Sequence, residues 1–391
     1  MTPEARLTAV ELFLKNTLGY TIPTDPVIPT PTDYTEITDF SVMRSGGKYK
    51  LKPTSLTLQQ SIVVPNDTTL DLTGSTVDYS GQDWSSIFAL KENVTIIGGT
   101  YKTARKNTIL DAQNCKNIIL KDMTMAEGSG GGYRIAGGEN ITIDGFKAKT
   151  WYNYCAFIEG NAKNVTIKNW VVKGGSENES TIRVCGCTGL LIRDCILHEG
   201  LNPIGAKKSV AMRLHEGSDY TLENIEVRGN FGVGPMGGGD GGQNWATYQW
   251  IDKNGKWYVP KEQADMTKTL EQRAKTLALR TNKVRIKNVR VIEGKCQINA
   301  GAVDVIWDGG SITNTTQPEQ PNWPAHNYCF YGYTSQYPDG KSIYSTLLPT
   351  DKPRPAPDIT IHNLQLVGSL EDVKGYVKVG SGNTLNGKVL Q

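Results

Sequence analysis

The sequence Asn93-Val94-Thr95-Ile96-Ile97-Gly98 is repeated three more times, with small changes, further along the chain. The other copies are Asn117-Ile118-Ile119-Leu120-Lys121-Asp122, Asn140-Ile141-Thr142-Ile143-Asp144-Gly145 and Asn164-Val165-Thr166-Ile167-Lys168-Asn169. Each copy has a polar residue, two apolar residues separated by one other residue, one further residue and then Gly, Asp or Asn. The second apolar residues of the four copies, Ile96, Leu120, Ile143 and Ile167, are 24, 23 and 24 residues apart. Such regular spacing indicates a structural repeat.

We call the second apolar residue of each copy the anchor. The frame extends in both directions, with anchors at Leu72, Ile96, Leu120, Ile143, Ile167, Ile192, Leu222, Ile286, Trp307, Ile361 and Leu385. Two residues after every anchor stands Gly, Asp or Asn, the residue types that adopt a left-handed backbone at low cost. Apolar residues return three and five positions after the anchor, as Trp170 and Val172 do after Ile167. The pattern predicts a strand, one bend residue and a second strand in each repeat.

The length of the repeat decides between the known repeat architectures. A helix needs a period of 3.6 residues and would not accept Gly or Asn in every turn. The Leu/Asn consensus of leucine-rich repeats is absent, and a β-propeller needs about 40 residues per blade and antiparallel hairpins. Strands about 24 residues apart, with no helix between them, stack as coils that bury their apolar faces against one another. We therefore predict an all-β parallel β-helix of about twelve coils.

This frame, from about Tyr49 to the C-terminus, resembles the right-handed parallel β-helix of the pectate-lyase-like superfamily. That superfamily includes polysaccharide lyases, glycoside hydrolases and phage tail-spike depolymerases, so the resemblance implies action on a polysaccharide. Assembly as a homotrimer is implied by the tail-spike resemblance only. The Asn-Thr-Asp and Asp-Asp motifs of polygalacturonase-type hydrolases are absent. Arg285-Ile286-Lys287 matches their Arg-Ile-Lys by letters, but Ile286 is a buried anchor, so the resemblance assigns no catalytic residue.

The overall composition limits the kinds of partner and ligand that we expect. The chain has 391 residues and a net charge of +3, with no basic run, which gives no argument for nucleic acid. No apolar run approaches 18 residues, so we expect no membrane span. The seven cysteines lack the paired spacing of a zinc site, and those near repeat strands are expected to stack as small apolar core residues. We predict neither a metal nor a cofactor.

The order of composition along the chain predicts three regions. Residues 1–19 read as a short α-helix that caps the solenoid or docks to a partner. Residues 20–45, rich in Pro and Thr, read as an extended linker. Residues 46–391 form the β-helix, with insertions at 231–283, helical and aromatic, and at 313–357, aromatic. Long aromatic-rich insertions in a compact array are usually functional.

The N-terminal sequence carries acidic residues and no uninterrupted apolar core, so no signal peptide is expected. A polysaccharide-directed β-helix without an export signal is what a phage would encode, because lysis releases its virions. The leading hypothesis is a tail-spike-like virion protein that binds, and could cleave, an acidic surface polysaccharide. One alternative is a non-catalytic virion component that serves as a rigid spacer. Another is a secreted bacterial lyase or hydrolase whose signal was removed.

Three arginines occupy equivalent positions in the strand before the anchor. Arg134, Arg183 and Arg213 each lie nine residues before an anchor, and Asp111 takes that place one coil earlier. Their neighbours Tyr133, Ile182 and Met212 have the opposite parity and should point inward, which places the arginines outward as a ladder broken at Ile158. The like charges require compensation, either by acids such as Asp111, Glu159 or Glu216 or by an anionic ligand. Arginine fits the carboxylates of an acidic glycan.

Three residues are catalytic candidates: His215, Glu216 and Asp240. His215 lies two residues after Arg213 and should share its outward face, where a base beside an arginine suits proton abstraction next to a carboxylate. Hydrolysis would instead need two carboxyls across a groove, for which Glu216 and Asp240 are candidates. Asp240 is set among six nearby glycines that would let a ligand approach the backbone. Each could equally be a structural residue of a turn or loop.

Aromatic residues supply the second binding signal. Trp151, Tyr152 and Tyr154 fall in the turn after the Ile143 coil, beside the glycine-rich segment 128–132. Flat rings with polar edges suit the C–H faces and hydroxyls of sugars. We therefore predict that these three residues, together with Arg134, Arg183 and Arg213, contact polysaccharide. The alternative is that the rings fill the flank of the solenoid.

Overall fold

The computed structural model describes residues 33–176, 180–198, 210–215, 217–234, 250–251, 257–258, 281–294, 296–299, 302–314, 329–333, 359–370 and 377–390. The strands belong to one compact unit, Thr35–Gln391. In these ranges the regular structure is β-strand, apart from a single 3-10 turn at Phe40–Val42. No helix in the described ranges is long and apolar enough to cross a membrane. The predicted helix at 1–19 lies outside the described residues.

The first strands in chain order are β1 Thr35–Ile37, β2 Lys48–Leu51, β3 Ser55–Leu58, β4 Ile62–Val63, β5 Thr69–Asp71, β6 Thr76–Tyr79, β7 Ser86–Ala89, β8 Glu92–Ile97, β9 Thr100–Thr103, β10 Thr108–Gln113, β11 Lys116–Lys121, β12 Thr124–Met125, β13 Gly131–Ala136, β14 Glu139–Asp144 and β15 Lys147–Trp151. The later strands are β16 Ala156–Lys168, β17 Val171–Ser176, β18 Ile182–His198, β19 Val210–Leu214, β20 Gly217–Arg228, β21 Asn230–Val233, β22 Trp250–Ile251, β23 Trp257–Tyr258, β24 Thr281–Ile292, β25 Cys296–Asn299, β26 Ala302–Thr313, β27 Phe330–Tyr333, β28 Ile359–Val367, β29 Val377–Val379, β30 Thr384–Leu385 and β31 Lys388–Val389.

These strands stack into three parallel ladders. The first, here called the arginine ladder, runs through β4, β7, β10, β13, the start of β16, the start of β18, β19, β21, β25 and β27. The second, the anchor ladder, carries the repeat anchors from β8 to β28. The third follows the bend, from β3 to β30. Among the described strands only β22–β23 and β30–β31 pair antiparallel. The parallel β-helix predicted from the repeat is confirmed.

The anchors stack on one another as predicted. Ile96 pairs in succession with Leu120, Ile143, Ile167, Ile192, Leu222, Ile286, Trp307 and Ile361, and these anchors are buried. The two terminal assignments were wrong, because Leu70 pairs with Ile96 in place of Leu72, and Val379 with Ile361 in place of Leu385. A period of two residues points both Leu70 and Leu72 inward, so sequence parity alone could not choose between them.

The bend residues explain why the chain folds into coils. All eleven residues two places after the predicted anchors have positive φ, from Asn363 at 50° to Gly74 at 83°. A second row, at the first residue of each repeat, is linked side chain to side chain: Asn117 Nδ2 donates to Asn93 Oδ1 at 2.8 Å, and Asn140 Nδ2 to Asn117 Oδ1 at 2.9 Å. These amides tolerate the left-handed backbone and also satisfy one another from coil to coil.

The interior is filled by stacked aliphatic and aromatic side chains. Trp170 is fully buried against Phe146 and Tyr133, and its indole N–H donates to the Ile143 carbonyl at 3.2 Å. All seven cysteines are buried free thiols, which confirms the core interpretation of the five expected to lie in or beside repeat strands, Cys115, Cys155, Cys185, Cys187 and Cys195. Burial raises the pKa of Cys115 to about 11, which makes this thiol a poor nucleophile.

Three predicted boundaries need correction. The β-helix begins at Thr35, since β1, which lies within the predicted linker 20–45, pairs with β2, and Asp39 caps the 3-10 turn between them. The insertion predicted at 231–283 is narrower, because β21 pairs with β25 and β24 begins at Thr281. The insertion predicted at 313–357 contains β27, which pairs with β25. Residues 235–249, 252–256 and 259–280 of the insertion predicted at 231–283 lie outside the described residues, so its helical part remains a prediction.

Candidate functional site

The predicted arginines lie in one column on the outer face of the arginine ladder. Asp111 pairs with Arg134, Arg134 with Phe157, Phe157 with Arg183, and Arg183 with Arg213. The inward neighbours Tyr133, Ile182 and Met212 are buried, which confirms the predicted parity. The residue between Arg134 and Arg183 is Phe157 and not Ile158, because a bulge between Glu159 and Ala162 adds one residue to that coil. We call the surface formed by Asp111, Arg134, Phe157, Glu159, Arg183, Arg213 and His215 the arginine face.

Arg134 is held by two carboxylates. Its Nε donates to Glu159 Oε1 at 2.7 Å, its Nη2 lies 2.6 Å from the same oxygen, and its Nη1 donates to Asp111 Oδ2 at 3.1 Å. The acids come from the coils on either side, so the guanidinium bridges three consecutive levels. Compensation by Asp111 and Glu159, one of the two alternatives for the arginines, is therefore confirmed for Arg134.

Glu159 is an unusual carboxyl group because its side chain is completely shielded from solvent. Burial raises the pKa of Glu159, while Arg134 acts in the opposite direction. Its second oxygen, Oε2, is buried and has no hydrogen-bond partner among the described residues. The same is true of Asp111 Oδ1. Buried oxygens without partners, gathered on one face, are typical of a site that holds water or ligand.

Arg183 has aromatic surroundings. Its side chain is 5% exposed, its Nη1 donates to the Tyr154 hydroxyl at 3.3 Å, and its guanidinium carbon lies 5.7 Å from the centroid of Phe157. The rings of Tyr154 and Phe157 stack at 4.9 Å. These rings lie beside the guanidinium, and Arg213 of the following coil, which is half-buried, is the more accessible of the two paired arginines.

His215 follows Arg213 and is covered, at 5% exposure. Its Nδ1 lies 3.1 Å from the Gly234 carbonyl oxygen, which can only accept, so Nδ1 carries the proton and Nε2 has a free lone pair. Nε2 is buried with no partner in the described part of the chain. Burial, then Arg183 and Arg213, hold the pKa of His215 well below its usual range. The imidazole is thus a neutral base near both arginines, in line with the predicted shared face.

The aromatic turn is only partly exposed. Trp151 is 1% exposed, so the prediction that it contacts polysaccharide was wrong. It ends β15, and the register with β17 shifts between Ala148 and Thr150, so Trp151 does not follow the alternation set by the buried Ala148; its Nε1 has no partner among the described residues. Tyr152 and Tyr154 are half-buried at the rim, and the guanidinium carbon of Arg105 lies 3.7 Å above the Tyr152 ring.

The glycine-rich segment 128–132 is explained by this turn. The backbone N–H of Asn153 donates to the Gly130 carbonyl at 2.8 Å, and a Cβ on Gly130 would lie 2.1 Å from the Ala104 carbonyl oxygen. Only glycine allows the successive turns to pack this closely.

Glu216 and Asp240 lie outside the described residues, so both remain predictions. In the described ranges no group of three or more His, Cys, Asp or Glu residues could hold a metal ion. Sequence reasoning missed Phe157, because the bulge in its coil cannot be read from spacing. It also missed Arg105, for which the nearby tyrosines were the available signal.

The chain is similar to known proteins in fold, and not in sequence. No protein-family model matches the chain, and no curated protein matches its sequence. The catalytic unit of a thermostable GH87 alpha-1,3-glucanase from Streptomyces thermodiastaticus is 10% identical with a TM-score of 0.53, covering 92% of this chain and 70% of that one.

Two further solved structures are more distant. PfbA, a surface adhesin of Streptococcus pneumoniae, is 10% identical with a TM-score of 0.45, covering 88% of this chain and 82% of its own. The A-module of the mannuronan C-5 epimerase AlgE6 from Azotobacter vinelandii is 11% identical with a TM-score of 0.42, covering 91% and 99%. The similarity to the glucanase shows that the chain shares its fold.

Proposed function

We propose that the chain binds an acidic polysaccharide along the arginine face. The observation that carries this proposal is the pairing of Arg183 with Arg213 on adjacent coils, with Arg183 oriented by Phe157 and Tyr154. A planar guanidinium matches a carboxylate in shape and charge. The proposal rests on these side chains, since the likeness to the glucanase shows the fold alone.

The shape of the surface favours a polymer over a small anion. The column from Asp111 to Arg213 crosses four coil spacings. At about 4.8 Å per spacing it is about 19 Å long. A row of side chains of this length suits an extended chain of sugars, because several weak contacts can be made along it.

Titration calorimetry with oligogalacturonate, oligomannuronate and neutral dextran tests the proposal. Arg183→Met should weaken binding of an acidic oligosaccharide by roughly ten-fold or more, because a charge-assisted hydrogen bond is lost. Arg290→Met is the matched control: this arginine lies on the third ladder, is 58% exposed and pairs with Glu226 at 3.4 Å. Equal loss in both variants, or binding that does not distinguish acidic from neutral glycans, would contradict the assignment.

Cleavage by β-elimination is a second proposal, favoured by the state of His215. Nε2 would take the proton from the carbon next to the sugar carboxylate, and that C–H electron pair would become the new C=C bond. The glycosidic C–O bond on the neighbouring carbon would break with its electrons on oxygen, which water would protonate. Arg183 and Arg213 would hold the carboxylate and stabilise the charge that develops there. Because His215 and Arg183 are each 5% exposed, a carboxylate contact at Arg183 and proton transfer to His215 both require these side chains to become uncovered when the glycan binds.

Absorbance from new double bonds measures this step. His215→Gln should abolish it while oligosaccharide binding persists. Release of reducing ends without double bonds would instead indicate hydrolysis.

The biological setting we propose is a phage tail spike, in which three copies assemble with other virion proteins. Its support is the superfamily resemblance of the repeat. Mass photometry of the full chain, 42.8 kDa per copy, should give about three times that mass. A monomer that binds no glycan would favour the spacer or another role.

A further inference from the structure

Trp84 occupies a position where tryptophan is unexpected. The Ser85 backbone N–H donates to the Gln82 carbonyl at 3.2 Å, which closes a tight turn with Trp84 as its third residue. Trp84 has φ of 65° and its side chain is 72% exposed. A turn of this type favours Gly or Asn at that place, and a bulky residue there is a conformational outlier. The turn thus carries a conformational cost and displays a large apolar ring to solvent.

The turn that carries Trp84 is held in place on several sides. Lys106 Nζ lies 2.5 Å from Asp83 Oδ2, and the Tyr79 hydroxyl donates to Ser85 Oγ at 2.8 Å. Asn107 Nδ2 donates to the Gly81 carbonyl at 3.1 Å. The ring is therefore presented from a fixed backbone, which is how strained residues at ligand sites are usually maintained.

Trp84 lies on the same rim as the exposed part of the aromatic turn. It stands two residues before Ser86, which pairs with Thr108, and Thr108 pairs with Gly131. The backbone N–H of Gly132 donates to the carbonyl of Tyr154, which lies one coil further along the chain. The turns of Trp84 and Tyr152 are thus three coils apart, about 14 Å along the axis.

Basic side chains occupy the level between these two turns. Arg105 covers the Tyr152 ring, and Lys106 reaches the turn of Trp84. Since Asp83 compensates Lys106, Arg105 is the basic residue of this rim that suits the same anionic polymer as the arginine face.

We propose that Trp84 is a sugar-binding platform that extends the arginine face, so that one acidic polysaccharide stacks a sugar ring on the indole while its carboxylates reach Arg183 and Arg213. This inference rests on the proposed function. The indole supplies a flat apolar surface for the C–H face of a sugar, and stacking explains why an exposed ring is kept on a strained turn. Trp84 and Arg183 are four coils apart, about 19 Å, so only a long oligosaccharide reaches both.

The test compares long and short oligouronates on the full chain. Trp84→Gly removes the ring and suits the positive φ, so the variant should unfold no earlier than the wild type. We expect roughly ten-fold weaker binding of a long oligogalacturonate or oligomannuronate, and no change for a disaccharide held at Arg183. Trp84→Tyr should retain most of the affinity. Val389→Ser, at an exposed apolar residue of the C-terminal strand β31, is the control and should change neither.

The outcomes separate this inference from the proposed function. If the wild type binds no acidic glycan, the function itself fails. If it binds and Trp84→Gly binds long and short fragments equally well, the platform is overturned while the function stands. If Trp84→Gly changes the oligomeric state and leaves glycan affinity unchanged, the ring is a contact between proteins and the inference is likewise overturned.

Discussion

Replacing Arg134 with methionine should destabilise the fold while leaving the proposed ligand contacts at Arg183 in place. Arg134 bridges Glu159 and Asp111, and the Glu159 carboxyl is fully buried, whereas the Arg134 side chain is 35% exposed. Removal of one partner from a buried pair costs about 3–5 kcal/mol, because an uncompensated charge stays inside. The partial exposure of Arg134 puts the expected loss near the lower end, about 3 kcal/mol.

Urea denaturation at pH 7 and pH 5 measures this loss. Without Arg134 the pKa of Glu159 rises further, so the folded state holds a proton that the unfolded state, with a carboxyl pKa near 4.5, has released. Stability of the variant should therefore decrease as the pH rises from 5 to 7. The double variant Arg134→Met, Glu159→Gln should recover much of the loss, because a neutral amide replaces the buried charge.

One result would refute this reasoning. If Arg134→Met lost less than about 1 kcal/mol at pH 7, within the range of a surface pair, the bridge would not be a structural element. A loss of glycan affinity without a loss of stability would then place Arg134 among the ligand-binding arginines.

Three further predictions concern the coils and His215. Asn140→Ala should cost about 1–3 kcal/mol in thermal or urea unfolding, because it combines positive φ with two amide contacts, whereas Asn140→Gly keeps the φ and should cost less; equal costs would contradict the left-handed bend. Trp170→Ala should cost about 3–5 kcal/mol by the same assay, because it empties a fully buried site, and a loss below 1 kcal/mol would contradict the core packing. The folded state holds the pKa of His215 below the usual 6.5, so the unfolded state takes up more protons in acid. The free energy of unfolding should therefore decrease as the pH is lowered below about 6.5. His215→Gln should reduce that slope, and an unchanged slope between pH 7 and 5 would contradict a buried neutral imidazole.

The regular part of the fold could be predicted because its physical cause is local. A residue such as Asp122 or Asn169 at a fixed distance from a buried anchor reports a left-handed bend directly, and all such bends are present. The first coil was missed because Thr35 pairs with Tyr49 at a spacing far shorter than the repeat. The 3-10 turn capped by Asp39 makes this short connection, and the spacing of the apolar residues does not reveal it.

The site was harder to predict because it depends on register and on three-dimensional surroundings. Strand parity placed Arg183 and Arg213 on one face, and the structure agrees. Parity could not place Phe157, since one bulge residue changes the count. Nor could it show that Trp151 turns inward at a strand end, or that Glu159 is fully buried beneath Arg134.

A crystal structure of the full chain with a bound acidic oligosaccharide tests the central claim most directly. We expect a sugar carboxylate within about 3 Å of a guanidinium nitrogen of Arg183 or Arg213, with the oligosaccharide running along the arginine face. An oligosaccharide bound on another ladder, with no carboxylate at either arginine, would contradict the account.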